Sequence, residues 1–294
     1  DYNGGHVFPC ALTIGTYAVA RLRDDDKLCL FSMNFEEDGV GESRLADIET
    51  KKDGDWRNYP KGIVWAFGKK GYKVDKGLDI LYFGNIPNGS GLSSSASIEV
   101  LTGFILKELF GFDVTNQDLA LIGQFSENQY NGVNCGIMDQ FASVFGKKGS
   151  LIRLDCRSLE YQYFPFDPQG YRLVLVDSVV KHELASSAYN KRRQSCEAAV
   201  AAVQKKHPHV EFLRDVTMGM LEEAKADISA EDYMRAEYVI EEIQRVLDVC
   251  DALEKGDYET VGQKMYETHH GMSKLYEVSC EELDFLNDLA FDCG

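Results

Sequence analysis

Strand-like and helix-like apolar patterns mix through the first half of this chain, and helical patterns dominate after residue 180. Residues 12–22 (LTIGTYAVARL) and 28–33 read as strands joined by the charged turn Asp24-Asp25-Asp26. Residues 55–70 predict a helix carrying Trp56 and Trp65, with Pro60 tolerated near its start. Residues 78–86 (LDILYFGNI) read as a buried strand, and Ile98, Leu101, Ile105, Leu106 and Leu109 mark the apolar face of a helix at spacings of three and four. Thr115-Asn116-Gln117-Asp118 opens, in the manner of a capping box, a helix running through Tyr130. A short helix over 138–145 and strands over 151–154 and 161–164 follow. Phe166-Asp167-Pro168-Gln169-Gly170 predicts a linker, and hence domains over 1–167 and 168–294. Beyond it lie a buried strand over 171–180 and helices over 186–206, from Ser229 onward, and near 258–275 and 281–291. Without a regular βαβ rhythm the expected class is α+β.

At 294 residues the chain has room for two domains with ample cores. Forty-eight acidic against thirty-one basic side chains leave a net charge of −17, which disfavours nucleic acid and anionic membrane as partners. Any nucleotide phosphate must then be held by a local positive field, from backbone amides and a divalent metal. The eight cysteines show no Cys-x-x-Cys pair, so free thiols in a reducing cytoplasm are expected rather than disulfides or zinc. His269-His270 reads as helix packing, no apolar run approaches the ~20 residues of a membrane helix, and no signal peptide is visible. Asp1-Tyr2-Asn3-Gly4-Gly5 begins in the middle of a motif and Cys293-Gly294 stops just after a helical stretch, so both ends read as cut.

The candidate chemistry centres on Pro87-Asn88-Gly89-Ser90-Gly91-Leu92-Ser93-Ser94-Ser95-Ala96, which joins a strand to a helix N-terminus. Free backbone N–H groups and the helix dipole make such a junction an anion site, and Gly89 and Gly91 let the main chain close around a phosphate. The serines add hydroxyls for phosphate oxygens or a metal ion. The competing reading is a flexible turn with a serine N-cap; the nucleotide P-loop is excluded, because no Gly-Lys-Ser/Thr follows. In Cys135-Gly136-Ile137-Met138-Asp139-Gln140 an acid lies on the first turn of a short helix. Asp139 there suits the helix dipole without any catalytic role, and a solvated helix face accounts equally well for Glu127.

Together these segments resemble the galactokinase branch of the GHMP small-molecule kinases. The resemblance rests on residues 87–97 followed by Glu99, on Glu127, and on the segment from Cys135 to Gln140. It extends to Asp1-Tyr2-Asn3-Gly4-Gly5, Trp56-Arg57-Asn58-Tyr59, His182-Glu183-Leu184-Ala185-Ser186-Ser187-Ala188-Tyr189, Lys191-Arg192-Arg193-Gln194-Ser195-Cys196-Glu197 and Tyr276-Glu277-Val278-Ser279-Cys280-Glu281-Glu282-Leu283-Asp284, in the family's order and spacing. It implies a two-domain α+β architecture with the active site in the cleft between domains, and transfer of phosphate from ATP to the C1 hydroxyl of galactose. Asp139 would be base or electrostatic orienter, and Ser95 with Glu127 would hold Mg²⁺. Pro87, Asn88, Gly89, Ser90, Gly91, Leu92, Ser93, Ser94 and Ser95 would wrap the ATP phosphates, with Trp56 beside the adenine. Asp1, Gly136 and Tyr189 match positions that contact galactose. N-acetylgalactosamine kinase and a non-catalytic sugar sensor are the alternatives within the resemblance, although the sensors lose residues of the serine loop that stand intact here. A monomer is expected. The family's arginine-containing opening motif and its third glycine motif fall outside residues 1–294, so the piece taken alone is expected to be inactive.

Overall fold

The computed structural model describes residues 1–50, 52, 54–87, 89–168, 170–180 and 186–293. Asn88 of the loop and the segment 181–185 of the resemblance therefore lie outside the described residues. The chain divides into two compact units: one is Ala11–Gly146, and the other joins Asp1–Cys10 to Lys147–Gly294. The expected boundary at 167/168 differs from this. The short strand β1 (His6–Val7) pairs with residues 154–155, so the first ten residues and the strands after 146 share a sheet and belong to one unit.

In the Ala11–Gly146 unit, β2 (Thr16–Leu22), β3 (Lys27–Ser32), β4 (Gly41–Arg44) and β5 (Leu78–Gly84) form a sheet in the order β2-β5-β3-β4. β3 and β5 run parallel with Leu28, Leu30 and Ser32 opposite Leu78, Ile80 and Tyr82, and all six are buried. The alternate positions face outward. Tyr17 lies directly opposite Phe83 on β2 and β5, the rings stack at 6.4 Å, and both are exposed. Residues 78–86 are thus buried on one face only. Large apolar residues on the outward face, Leu81 and Phe83, hid an alternation that the helices, covering a single face, impose.

Those helices are α1 (Asn58–Lys69), α2 (Ser94–Phe110), α3 (Asn116–Ser126) and α4 (Met138–Phe145). Thr115 and Asp118 make the reciprocal bonds of a capping box at the start of α3. The helix expected to reach Tyr130 instead leaves α-geometry after Ser126 and widens into a π-helical turn, Glu127–Asn131. Gly62 of α1 lets this turn approach closely, since a Cβ there would stand 2.3 Å from Ser126 Oγ and 3.0 Å from the Tyr130 ring. The Tyr130 hydroxyl then donates to the Ile48 carbonyl at 2.6 Å.

In the other unit, β1 pairs with β6 (Ser150–Asp155), and β6 with β7 (Tyr161–Pro165), all antiparallel. Helices α5 (Ser186–Gln204), α6 (Met218–Ala224), α7 (Ala230–Glu254), α8 (Tyr258–Lys274) and α9 (Glu281–Cys293) follow. Cys196, Val203, Leu213, Leu221 and Val239 lie in their core. The Arg214 guanidinium meets Asp155 of β6 at 2.7 Å and donates to the Gly4 carbonyl, fastening the helical part to the sheet. The strand expected over 171–180 is not formed. Leu173, Val174, Leu175 and Val176 are exposed, and no described strand pairs with them. Apolar content marks a segment fit for a sheet, but a strand exists only where a neighbour completes its hydrogen bonds. All eight cysteines are free.

Candidate active site

The loop after β5 begins with a turn in which Ser90 N–H donates to the Pro87 carbonyl at 3.3 Å. Gly89 and Gly91 then take φ of 71° and 73°, the left-handed region open to glycine. Ser93 follows at φ 59°, where a side chain is strained. It occupies the N-cap position of α2 without capping it. Its side chain lies instead near the Asp139 carboxyl, where it lowers that group's pKa. The simple serine-cap reading therefore fails at Ser93.

Asp139 is half-buried on the first turn of α4, and burial raises its pKa above the ordinary value while Ser93 opposes the rise. Glu127, the first residue of the π-helical turn, is only 5 % exposed, which excludes the solvated helix face. Burial pushes its carboxyl up to about 7, against a lowering by Ser95 and with Asp139 adding to the rise. Two serines of one loop thus stand near two carboxyls carried by different elements, Ser93 by Asp139 and Ser95 by Glu127, and each lowers the pKa of its neighbour against the effect of burial. Both acids are held where water stabilises their charge poorly, so a cation arriving beside them would find its counter-charge already placed.

Among the described residues no three His, Cys, Asp or Glu side chains converge as a self-sufficient metal site. Ser95 and Glu127 make a smaller, all-oxygen donor set. A hard cation such as Mg²⁺ completes a set of this kind with waters and phosphate oxygens. Glu127 is buried beside Ser95, so a carboxylate and a hydroxyl oxygen are held together, and the chemistry of these donors suits the ion. Ser90 Oγ is buried with no hydrogen-bond partner among the described residues.

Beside the loop lies a cavity of about 190 Å³, bounded by Gly89, Ser94 and Ser95 and walled by Phe35, Trp56, Tyr59 and Ile98. Trp56 stacks on Phe35 at 6.3 Å and meets Tyr82 edge-on, with its indole N–H buried and without a partner among the described residues. Aromatic walls joined to an amide-rich loop suit a purine bearing phosphates. Gly136 is buried just ahead of α4. In the other unit, Tyr189 of α5 meets Tyr2 edge-on at 5.6 Å, and the Asp1 carboxyl accepts from Tyr2 N–H at 2.8 Å. Phe35, Asn34 and Tyr59 of the cavity, and the buried Glu99, carried no role in the sequence reading. The one signal available was that Tyr59 and Glu99 sit inside the quoted motifs.

A sheet backed by helices, with a glycine–serine loop leading from its inner strand β5 into α2, is the architecture of the GHMP kinases. The model of the GHMP kinases N terminal domain matches residues 58–147. The chain belongs to the galactokinase family within it. It is 46 % identical over 293 residues to the galactokinase of Clostridium acetobutylicum, covering 99 % of this chain and 75 % of that protein. It is 42 % identical over 293 residues to that of Bacillus subtilis, with the same shares covered. The crystal structure of Lactococcus lactis galactokinase complexed with galactose superposes with a TM-score of 0.93 at 37 % identity, over 97 % of this chain and 73 % of that one. A mevalonate kinase crystal structure, 18 % identical with a TM-score of 0.59, covers 100 % of this chain and 80 % of that one and shares the fold.

Proposed function

We propose that this protein transfers the γ-phosphoryl group of ATP to the C1 hydroxyl of galactose, giving galactose 1-phosphate and ADP. The observation that carries the assignment to residues is the placement of the Asp139 carboxyl on the first turn of α4 and of the buried Glu127 carboxyl on the π-helical turn, each near a serine of the loop. Phosphoryl transfer asks little covalent chemistry of a protein and much positioning and charge compensation. Asp139 is assigned to the acceptor, where a carboxyl raised by burial accepts or orients the C1 hydroxyl proton. The backbone amides from Gly89 to Ser94 face the phosphate oxygens, and Trp56 flanks the base. Ser95 and Glu127 would hold Mg²⁺, which when bound neutralises charge on the transferring phosphates. Asp1, Gly136 and Tyr189 are assigned to galactose through their match to the family's sugar-contacting positions.

The test is direct. The full-length protein carrying this chain is incubated with ATP, Mg²⁺ and galactose, and the product is identified by phosphorus NMR. Galactose 1-phosphate formed in step with ADP supports the assignment, and ADP release indifferent to galactose refutes it.

A further inference from the structure

Glu99 is fully buried, at 0 % exposure, and no step of the proposed reaction uses it. A carboxyl is not found at such depth without partners. It stands on α2 one turn beyond Ser95, so the helix that presents the metal-side serine also carries Glu99 behind it. Its Oε1 faces Asn131 Nδ2 and its Oε2 faces Gln140 Nε2, each at 3.4 Å. Asn131 closes the π-helical turn that Glu127 opens, and Gln140 is the residue after Asp139. The space around this bridge is tight. A Cβ on Gly123 of α3 would stand 2.8 Å from Gln140 Cγ and 3.9 Å from Glu99 Oε2.

We propose that Glu99 is a positioning residue for phosphoryl transfer, whose side chain bridges Asn131 and Gln140 and so fixes Glu127 and Asp139 relative to the serine loop. It rests on the galactokinase assignment. Three elements converge on the reacting groups, α2 with Ser95, the π-helical turn with Glu127 and α4 with Asp139, and Glu99 is the side chain that touches the last two from the first. Both contacts are long, so the bridge acts through shape and exclusion of alternatives as much as through hydrogen-bond energy. A glutamine at this position keeps the length and offers one acceptor and one donor. Turning over the amide of Gln140 or Asn131 meets that donor, so the bridge survives. A leucine fills the space and removes both contacts, leaving the buried amide of Gln140 and the half-buried amide of Asn131 without them.

The test compares E99L, E99Q, Q140L and N131A by kcat, by galactose KM, by thermal unfolding, and by Mg·ATP affinity read from Trp56 fluorescence. Loss of geometry at the reacting groups is expected to lower kcat of folded E99L by ~10–100-fold while galactose KM stays within ~3-fold. E99Q restores turnover. Combining E99L with Q140L is expected to cost no more than the worse single change, because both break one bridge. Should E99L fail to fold, Q140L and N131A carry the test, with Q140L expected to lower kcat and N131A to weaken Mg·ATP binding. Folded variants with unchanged kcat and unchanged Mg·ATP affinity overturn the proposal, as does full additivity of E99L and Q140L. A full-length wild-type protein that makes no galactose 1-phosphate refutes the galactokinase assignment instead, and Mg·ATP affinity then still reads the bridge.

Discussion

Asp139 and Glu127 look alike in sequence, each an acid in a helical turn, and the structure separates them by their surroundings. Glu127 is the more deeply buried, and its carboxyl, pushed up to about 7, sets a testable pH dependence for metal binding. With Glu127 as the proposed Mg²⁺ ligand, a proton and the ion would compete for the same oxygens. Apparent Mg²⁺ affinity is therefore expected to rise ~10-fold per pH unit as pH approaches 7 from below and to level off above it. Titration of Mg²⁺ at pH 6 and pH 8 checks this, and a Glu127→Gln variant should lose the slope; a slope that persists would place the titrating group elsewhere. The loop itself was legible, because glycine and serine announce their backbone freedom and their hydroxyls. The burial of Glu127 was not, because it depends on Gly62 of α1 admitting the π-helical turn, a contact between residues 64 positions apart.

Among the elements, those read correctly carried their cause locally. Thr115 and Asp118 close the capping box within four residues, and the helix of residues 138–145 shows in its own apolar stripe. β1 and β4 are too short to raise a pattern, and 171–180 raised one that no partner strand answers. The crossing of α7 and α8 was equally invisible, since it turns on one missing side chain. A Cβ on Gly271 would stand 2.5 Å from the Tyr238 ring, and Tyr238 is buried. Gly271→Ala is expected to destabilise this unit by ~1–3 kcal/mol through overpacking. Urea unfolding followed in the wild type and the variant checks it, and an unchanged midpoint would show that the ring yields without cost.

For the whole molecule, a charge of −17 leaves anionic ATP to be bound by local amides and a cation rather than by any general attraction. Acid sensitivity has a local source as well. The Arg214 guanidinium holds the Asp155 carboxyl well below its ordinary value of 3.8. A depressed carboxyl stabilises the fold at pH above the unfolded value and loses that stabilisation as pH falls through the folded one. Asp155→Asn is thus expected to cost ~1–3 kcal/mol at pH 7, with the gap from wild type narrowing below about pH 4. Unfolding measured at pH 7 and pH 3 reads it, and a constant gap would remove the pair from the acid limb. Fold class and loop were open to sequence reading; the division into units was not, because β1 reaches its partner β6 across more than 140 residues. The central claim, that Asp139 acts on the acceptor hydroxyl, is tested most directly by the kinetics of Asp139→Asn with galactose and ATP. A kcat lowered by at least ~100-fold with galactose affinity preserved is the expected result. Retained kcat with a raised KM would contradict it and leave Asp139 a sugar-binding residue.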